Sequence, residues 1–177
     1  VHILELGGLK RQYLVHVPQA YNPAKPAPVL VALHGGGGNM RLQADDGRYG
    51  LISKSESAGF LAVFPNGYSA WPGGRLATWN AGACCGSARD KGVDDVAFVR
   101  AVVADVQRRY SVDAQRVYAT GMSNGGMLAH RLACEAADVF AGIAAVAGTD
   151  NTLACTPSRA IPVLHIHARD DDHVLFN

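Results

Sequence analysis

Over His2 to Leu6 and again over Arg11 to Val17 the chain alternates apolar and polar residues, with Gly7-Gly8 between, which predicts an antiparallel hairpin at a sheet edge. The rhythm then changes. Val29-Leu-Val-Ala-Leu33 is an unbroken apolar run, the pattern of a central strand covered on both faces. Gly59 to Pro65, Arg116 to Ala119, Val139 to Ala147 and Ile161 to His167 are read in the same way, as further buried strands. Between them lie helical stretches: Gln43 to Ser57; Val96, Val99, Val102, Val103, Val106 and Tyr110; and Met127 to Ala137. For the second of these, Asp94 or Asp95 is placed to cap the start and Arg108-Arg109 to suit the end. Strand and helix in alternation predict an α/β fold with a mostly parallel sheet and helices on both faces. Tyr68 to Lys91 reads as loop, and a loop of that length is functional or pinned by cross-links.

Composition narrows the picture. With 177 residues, 49% of them apolar, residues 1–177 suffice for one domain with a sizeable core. Sixteen basic residues against fifteen acidic ones, with no basic run, exclude nucleic acid and an anionic membrane surface as expected partners. No apolar stretch reaches transmembrane length. The chain starts at Val1 without a basic, apolar leader, so a signal peptide is expected to be absent or removed. Four cysteines permit two disulfides, which suits a secreted or periplasmic protein. The neighbours Cys84 and Cys85 are expected to pair further along the chain and not with each other. No Cys-x-x-Cys spacing is present to make a zinc knuckle.

The chemistry gathers around Thr120-Gly-Met-Ser-Asn-Gly-Gly126, where Gly-x-Ser-x-Gly falls on Gly121, Ser123 and Gly125 between a strand and a helix. Glycines two residues either side allow a turn sharp enough to lift a serine hydroxyl off the sheet, so Ser123 is the candidate nucleophile. His34 and Gly35 to Gly38 follow the central strand. A phosphate-binding loop would carry a Gly-Lys-Ser/Thr ending, absent here, whereas a His-Gly-Gly-Gly oxyanion loop fits, with Gly36 and Asn124 as the amide donors. Trp79, in the long loop, is expected to line a substrate cleft. Asp170, Asp171 and Asp172 sit at the carboxyl end of the last strand, the same rim as Ser123 and the glycine loop. No cofactor is called for.

Leu33-His-Gly-Gly-Gly-Gly-Asn39, Trp79-Asn-Ala-Gly-Ala-Cys-Cys85, Val93-Asp-Asp-Val96, Gly121-Met-Ser-Asn-Gly-Gly126 and the run from His165-Ile-His to Asp171-Asp-His-Val174 resemble the α/β-hydrolase esterases that include feruloyl esterases, acetylxylan esterases and polyhydroxybutyrate depolymerases. The resemblance spans most of the chain in the family's order. It implies Ser123 as nucleophile and Asp171 as the acid, Asp170 and Asp172 being lesser candidates. It implies an ester substrate, small or polymer-linked: feruloyl or acetyl esters of plant polysaccharides ahead of polyhydroxybutyrate. The turn before the acid, Ala168-Arg169-Asp170, lacks the glycine of the family's pattern.

The base is the departure. In this fold it follows the acid on a later loop. His173 is two positions from Asp171, and His130 lies roughly 10 Å down the helix from Ser123. His34 flanks the oxyanion loop as a prop. His2 and His16 belong to the hairpin, while His165 and His167 lie in a strand below the rim. None fits, so the fold is expected to lack its C-terminal strand and helix, and the catalytic histidine with them. Two other readings stand beside the esterase: a metal-dependent hydrolase using the His165, His167 and Asp cluster, and a fragment that binds without reacting.

Overall fold

A computed structural model describes residues 1–176. Seven strands form one sheet in the order β1-β2-β4-β3-β5-β6-β7: β1 (His2–Leu6), β2 (Leu9–His16), β3 (Ala27–Leu33), β4 (Leu61–Pro65), β5 (Val112–Met122), β6 (Gly142–Val146) and β7 (Val163–Ile166). β1 pairs antiparallel with β2, and β2 antiparallel with β4. From β4 to β7 every pairing is parallel. The hairpin and the central run are therefore where alternation and continuous apolarity predict them.

Val29, Val31 and Leu33 of β3 are buried on the face covered by α5 (Asp95–Arg109) and α6 (Asn124–Glu135). Ala32 looks the other way and packs with Ala62, Phe64 and Met40 of α1 (Met40–Gln43). Helices on both faces explain why β3 has no polar side. The helix read over residues 43–57 is three short ones: α1, α2 (Asp46–Tyr49) and α3 (Leu51–Ala58). Its interruptions have local causes. Asp45 caps α2 by accepting the Gly47 N–H, and Gly50, at φ 62°, ends that helix in the left-handed region. The long loop contains a 3₁₀ turn (Pro72–Gly74) and a helix, α4 (Gly86–Asp90), that periodicity missed.

Two expectations are corrected. Val163 to Ile166 is a strand but, among the described residues, not a buried one: β7 stands at the edge opposite β1, and Val163, Leu164 and Ile166 are each about half exposed. Cys84 and Cys85 do bridge each other, across a cis peptide, while Cys134 pairs with Cys155. Folding brings the end of α6 and the loop after β6 to a Cα separation of 5.0 Å, ordinary for a bridge, which leaves the neighbours to each other.

One buried ion pair braces the frame. Arg11 of β2 donates to Asp95 at the start of α5 at 2.7 Å, and its guanidinium lies 4.0 Å from the Phe98 ring centroid. The second Asp95 oxygen accepts the Asn80 N–H at 2.8 Å. Burial pushes the Asp95 carboxyl above the usual carboxylate range, against the pull of Arg11.

Candidate active site

β5 delivers Ser123 to the rim in a backbone conformation, φ 53° and ψ −124°, that residues other than glycine rarely adopt. The Ser123 N–H donates to the Val146 carbonyl at 2.8 Å and its own carbonyl accepts from Met127 at 2.9 Å, so the backbone is pinned on both sides. The hydroxyl makes no cap hydrogen bond with α6. Its flanking glycines are required by contact. A Cβ at Gly121 would lie 2.4 Å from the Gly125 backbone, and one at Gly125 would lie 2.4 Å from the Leu33 carbonyl oxygen. Gly148, just past β6, is needed for the same reason: its Cβ would meet the Ser123 carbonyl at 2.4 Å. The pattern around Ser123 announced the first two. Nothing local to Gly148 announced the third.

The glycine loop after β3 closes on this turn. A Cβ position at Gly35 is 3.7 Å from Ser123 Cβ, and that of Gly36 is 3.6 Å from Asn124 Cβ. Folding thus brings together the two residues singled out as oxyanion donors. Gly37 and Gly38 have their amides engaged, by the Ala77 and Gly35 carbonyls. Asn124 opens α6, where the first N–H groups lack intrahelical partners.

His34 holds the loop from below. Its Nδ1 donates to the Gly35 carbonyl at 2.7 Å and its Nε2 accepts the Gly67 N–H at 2.9 Å, which fixes the neutral ring in one tautomer. Burial pushes its pKa down to about 4, although the Gly35 carbonyl works in the opposite direction. Both nitrogens are occupied, so His34 is a prop.

Trp79 is not on a cleft wall. It is 0% exposed. Its indole N–H donates to the His34 carbonyl at 2.8 Å, and its ring lies over His34 with centroids 4.8 Å apart. The Asn124 side chain clasps its backbone, accepting the Trp79 N–H at 2.7 Å and donating to its carbonyl at 3.0 Å. An indole with its N–H satisfied is worth more inside this junction than on the surface, and the sequence could not distinguish the two uses. Asn80 and Arg131 extend the junction, Arg131 of α6 donating to the Asn80 carbonyl at 2.8 Å.

Asp171 lies on the same rim. Met122, Val146 and Ile166 are aligned across β5, β6 and β7, so Ser123 and the loop holding Asp171 leave the sheet two strands apart, roughly 10 Å at the usual strand spacing. Asp171 Oδ1 accepts the N–H groups of Val174 at 2.8 Å and His173 at 2.9 Å. These bonds, Val174 first, hold its carboxyl below the usual range. Oδ2 is 3.3 Å from His167 Nε2, whose nearer partner is the Val174 carbonyl at 2.7 Å. Asp172 faces outward and meets His173 Nδ1 at 2.5 Å.

The histidines are placed as follows. His130 Nε2 is 3.2 Å from His165 Nδ1, and His165 Nε2 is 3.1 Å from His167 Nδ1, so three rings form a row ending at the Val174 carbonyl. His16 pairs with Glu56, and His2 stacks on Tyr13. Among the described residues no histidine ring is hydrogen-bonded to the Ser123 hydroxyl. The metal-ligand reading gains little: the ligand atoms that gather within 4.8 Å belong to Asp171, Asp172 and His173, and the His165 and His167 rings face each other instead.

A parallel sheet carrying a strained serine turn and an adjoining glycine loop at its carboxyl rim defines an α/β hydrolase. The chain belongs to the esterase family described as PHB depolymerase esterases, whose model matches residues 12–177. It is 28% identical over 158 residues to a bifunctional acetylxylan esterase/xylanase of Neocallimastix patriciarum, covering 89% of this chain and 21% of that protein. It is 30% identical over 175 residues to feruloyl esterase B of Piromyces equi, covering 94% and 30%. A thermostable esterase of known structure superimposes with a TM-score of 0.74 at 20% identity, covering 98% of this chain and 47% of that one. The chain thus spans less than half the length of each of these proteins.

Proposed function

We propose that the protein is a serine carboxylic-ester hydrolase working through an acyl-enzyme. Ser123 Oγ attacks the ester carbonyl and forms the new C–O bond, while its proton passes to a histidine base held by Asp171. The Gly36 and Asn124 amides receive the developing oxyanion. Collapse expels the alcohol, which takes the proton from the base. Water, deprotonated by the same base, then releases the acid and frees Ser123. The single observation that carries this reading is the contact of the glycine loop with the Ser123 turn, a Cβ position at Gly35 lying 3.7 Å from Ser123 Cβ and one at Gly36 lying 3.6 Å from Asn124 Cβ. The base is inferred to lie in the part of the family's length that this chain does not span. Asp171 is the acid, its Oδ1 fixed by two backbone N–H groups and its Oδ2 lying 3.3 Å from His167 Nε2.

For substrate, feruloyl or acetyl esters of plant polysaccharides come first, on the likeness to proteins named acetylxylan esterase and feruloyl esterase, with polyhydroxybutyrate as the alternative. Two disulfides favour an oxidising, secreted or periplasmic setting. No helix among the described residues is long and apolar enough to cross a membrane.

The test is a fluorophosphonate followed by peptide mapping, with p-nitrophenyl acetate and methyl ferulate hydrolysis alongside. A single adduct on Ser123, lost in Ser123→Ala, supports the reading. An adduct elsewhere, or none, removes Ser123 from the mechanism and leaves the non-catalytic binding module as the better account.

A further inference from the structure

On the hairpin side of the rim, β2 and the loop after β4 enclose a cavity of about 580 Å³. Two aromatic rings line it. Trp71 is 61% exposed, yet its backbone is fixed: its N–H donates to Ser69 Oγ at 3.0 Å and its carbonyl accepts the Gly74 N–H at 3.2 Å. An indole open to water on a hydrogen-bonded turn offers its ring face to a ligand while the backbone beneath it is already ordered. Tyr68 is held from outside by the Lys91 ammonium, 5.4 Å from its ring centroid, and by the paired backbone of Tyr68 and Thr78.

Around the rings stand polar groups with spare hydrogen-bonding capacity. Asn66 uses Oδ1 to accept the Met40 N–H at 2.8 Å, which leaves its NH₂ available. Gln12 and Lys10 supply an amide and an ammonium, and no carboxylate lines the cavity among the described residues. Flat apolar faces edged by amide and cationic donors match a sugar ring, with C–H bonds on its faces and hydroxyls around its edge that accept from those donors. A metal cation would find no anionic ligand there, and a polyester chain, which has acceptors but no donors along its length, would leave the Gln12 side-chain oxygen without a donor.

The cavity adjoins the proposed reaction centre through one loop. Tyr68, Ser69 and Trp71 line it on one side of the 66–78 segment. On the other side the Ala77 carbonyl accepts the Gly37 N–H at 2.8 Å, and Leu76 lies 3.9 Å from a Cβ position at Gly37.

We propose that this cavity is a saccharide subsite for the polymer side of the ester, with Trp71 and Tyr68 stacking on sugar rings while Gln12, Asn66 and Lys10 bond their hydroxyls. The assignment rests on the ester-hydrolase reading for its role, and its test separates the two. Of the two tryptophans, Trp79 is buried and Trp71 exposed, so a ligand stacking on Trp71 changes the solvent-exposed part of the emission. Titration with an unesterified xylo-oligosaccharide is expected to give a saturable change. Calorimetry on Trp71→Ala is expected to show at least tenfold weaker binding, with Trp71→Phe retaining part of the affinity. No saturable response to xylo-, arabino- or gluco-oligosaccharides, or equal affinity in Trp71→Ala, overturns the proposal, as does preferential binding of a 3-hydroxybutyrate oligomer. Ser123 labelling on the wild type reads the other question. A labelled Ser123 without sugar binding sinks the subsite alone, and sugar binding without labelling removes its role in ester hydrolysis.

Discussion

The Asn124 side chain and the Trp79 backbone bond each other twice, at 2.7 and 3.0 Å, inside a junction where both residues are buried. The residue whose Cβ packs against the Gly36 loop is thereby locked to the long loop that also lines the Trp71 cavity. Asn124→Ala leaves the buried Trp79 N–H without a partner, while the Trp79 carbonyl keeps the Cys85 N–H at 3.1 Å. The expected cost is about 1–3 kcal/mol, the value for one orphaned buried group. Urea unfolding reads it, and slower fluorophosphonate labelling of Ser123 should accompany it. A midpoint within error of the wild type would show the clasp to be idle.

Gly125→Ala and Gly50→Ala separate collision from conformation. At Gly125 a methyl group would sit 2.4 Å from the Leu33 carbonyl, whereas at Gly50 nothing lies within 4 Å and only the positive φ, 62°, resists it. The first should cost about 3 kcal/mol or more and displace the glycine loop; the second should cost about 1 kcal/mol. Comparable losses in thermal unfolding would argue against a steric role for the Ser123 flanks.

His34 makes stability depend on pH. Its folded pKa, about 4, lies below the unfolded value of 6.5, so between these limits the unfolded chain binds the extra proton. Stability is therefore full above pH 6.5 and falls as pH drops toward 4, by about 3 kcal/mol in all for this near-fully buried ring. His34→Gln should start less stable and show a flatter curve across that window. A mutant curve parallel to the wild type would assign the acid sensitivity to other groups.

Arg11→Met tests the brace. Removing the guanidinium strands the buried Asp95 carboxylate, with an expected loss of about 3–5 kcal/mol. Arg11→Met with Asp95→Asn should recover part of it. Failure of the double variant to recover any would mean that the cation–π packing on Phe98 dominates.

Breaking the Cys134–Cys155 bridge by Cys134→Ser should cost about 3 kcal/mol, the chain-entropy value for a loop of 21 residues. The loss should vanish when wild type and variant are compared under reduction.

The sheet was legible because its strands are long apolar runs. Val29 to Leu33 has no reading other than a central strand, and glycines around Ser123 can only mean a sharp turn once strand and helix flank it. Legibility failed where one residue type serves two environments. Trp79 suits a cleft or a core equally, and only the partners of its N–H decide between them. Gly148 is demanded by a carbonyl 25 residues earlier in the chain, a contact no window contains. Val163 to Ile166 carries the apolar composition of a covered strand, and among the described residues no strand pairs beyond it. Asp45 and Gly50 were readable punctuation, overridden by the helical spacing around them.

The segment from Gly67 to Trp79 is fastened at its two ends, by Gly67 to His34 and by Trp79 to Asn124, and carries Trp71 near its middle. It is a span on two fixed abutments. The abutments, not the crown, hold the serine turn and glycine loop in register, so on the proposed reading the polymer recognised is separable from the bond cleaved. If Trp71 holds the polymer as proposed, transplanting residues 69–75 between relatives changes substrate preference and leaves the contacts around Ser123 unchanged.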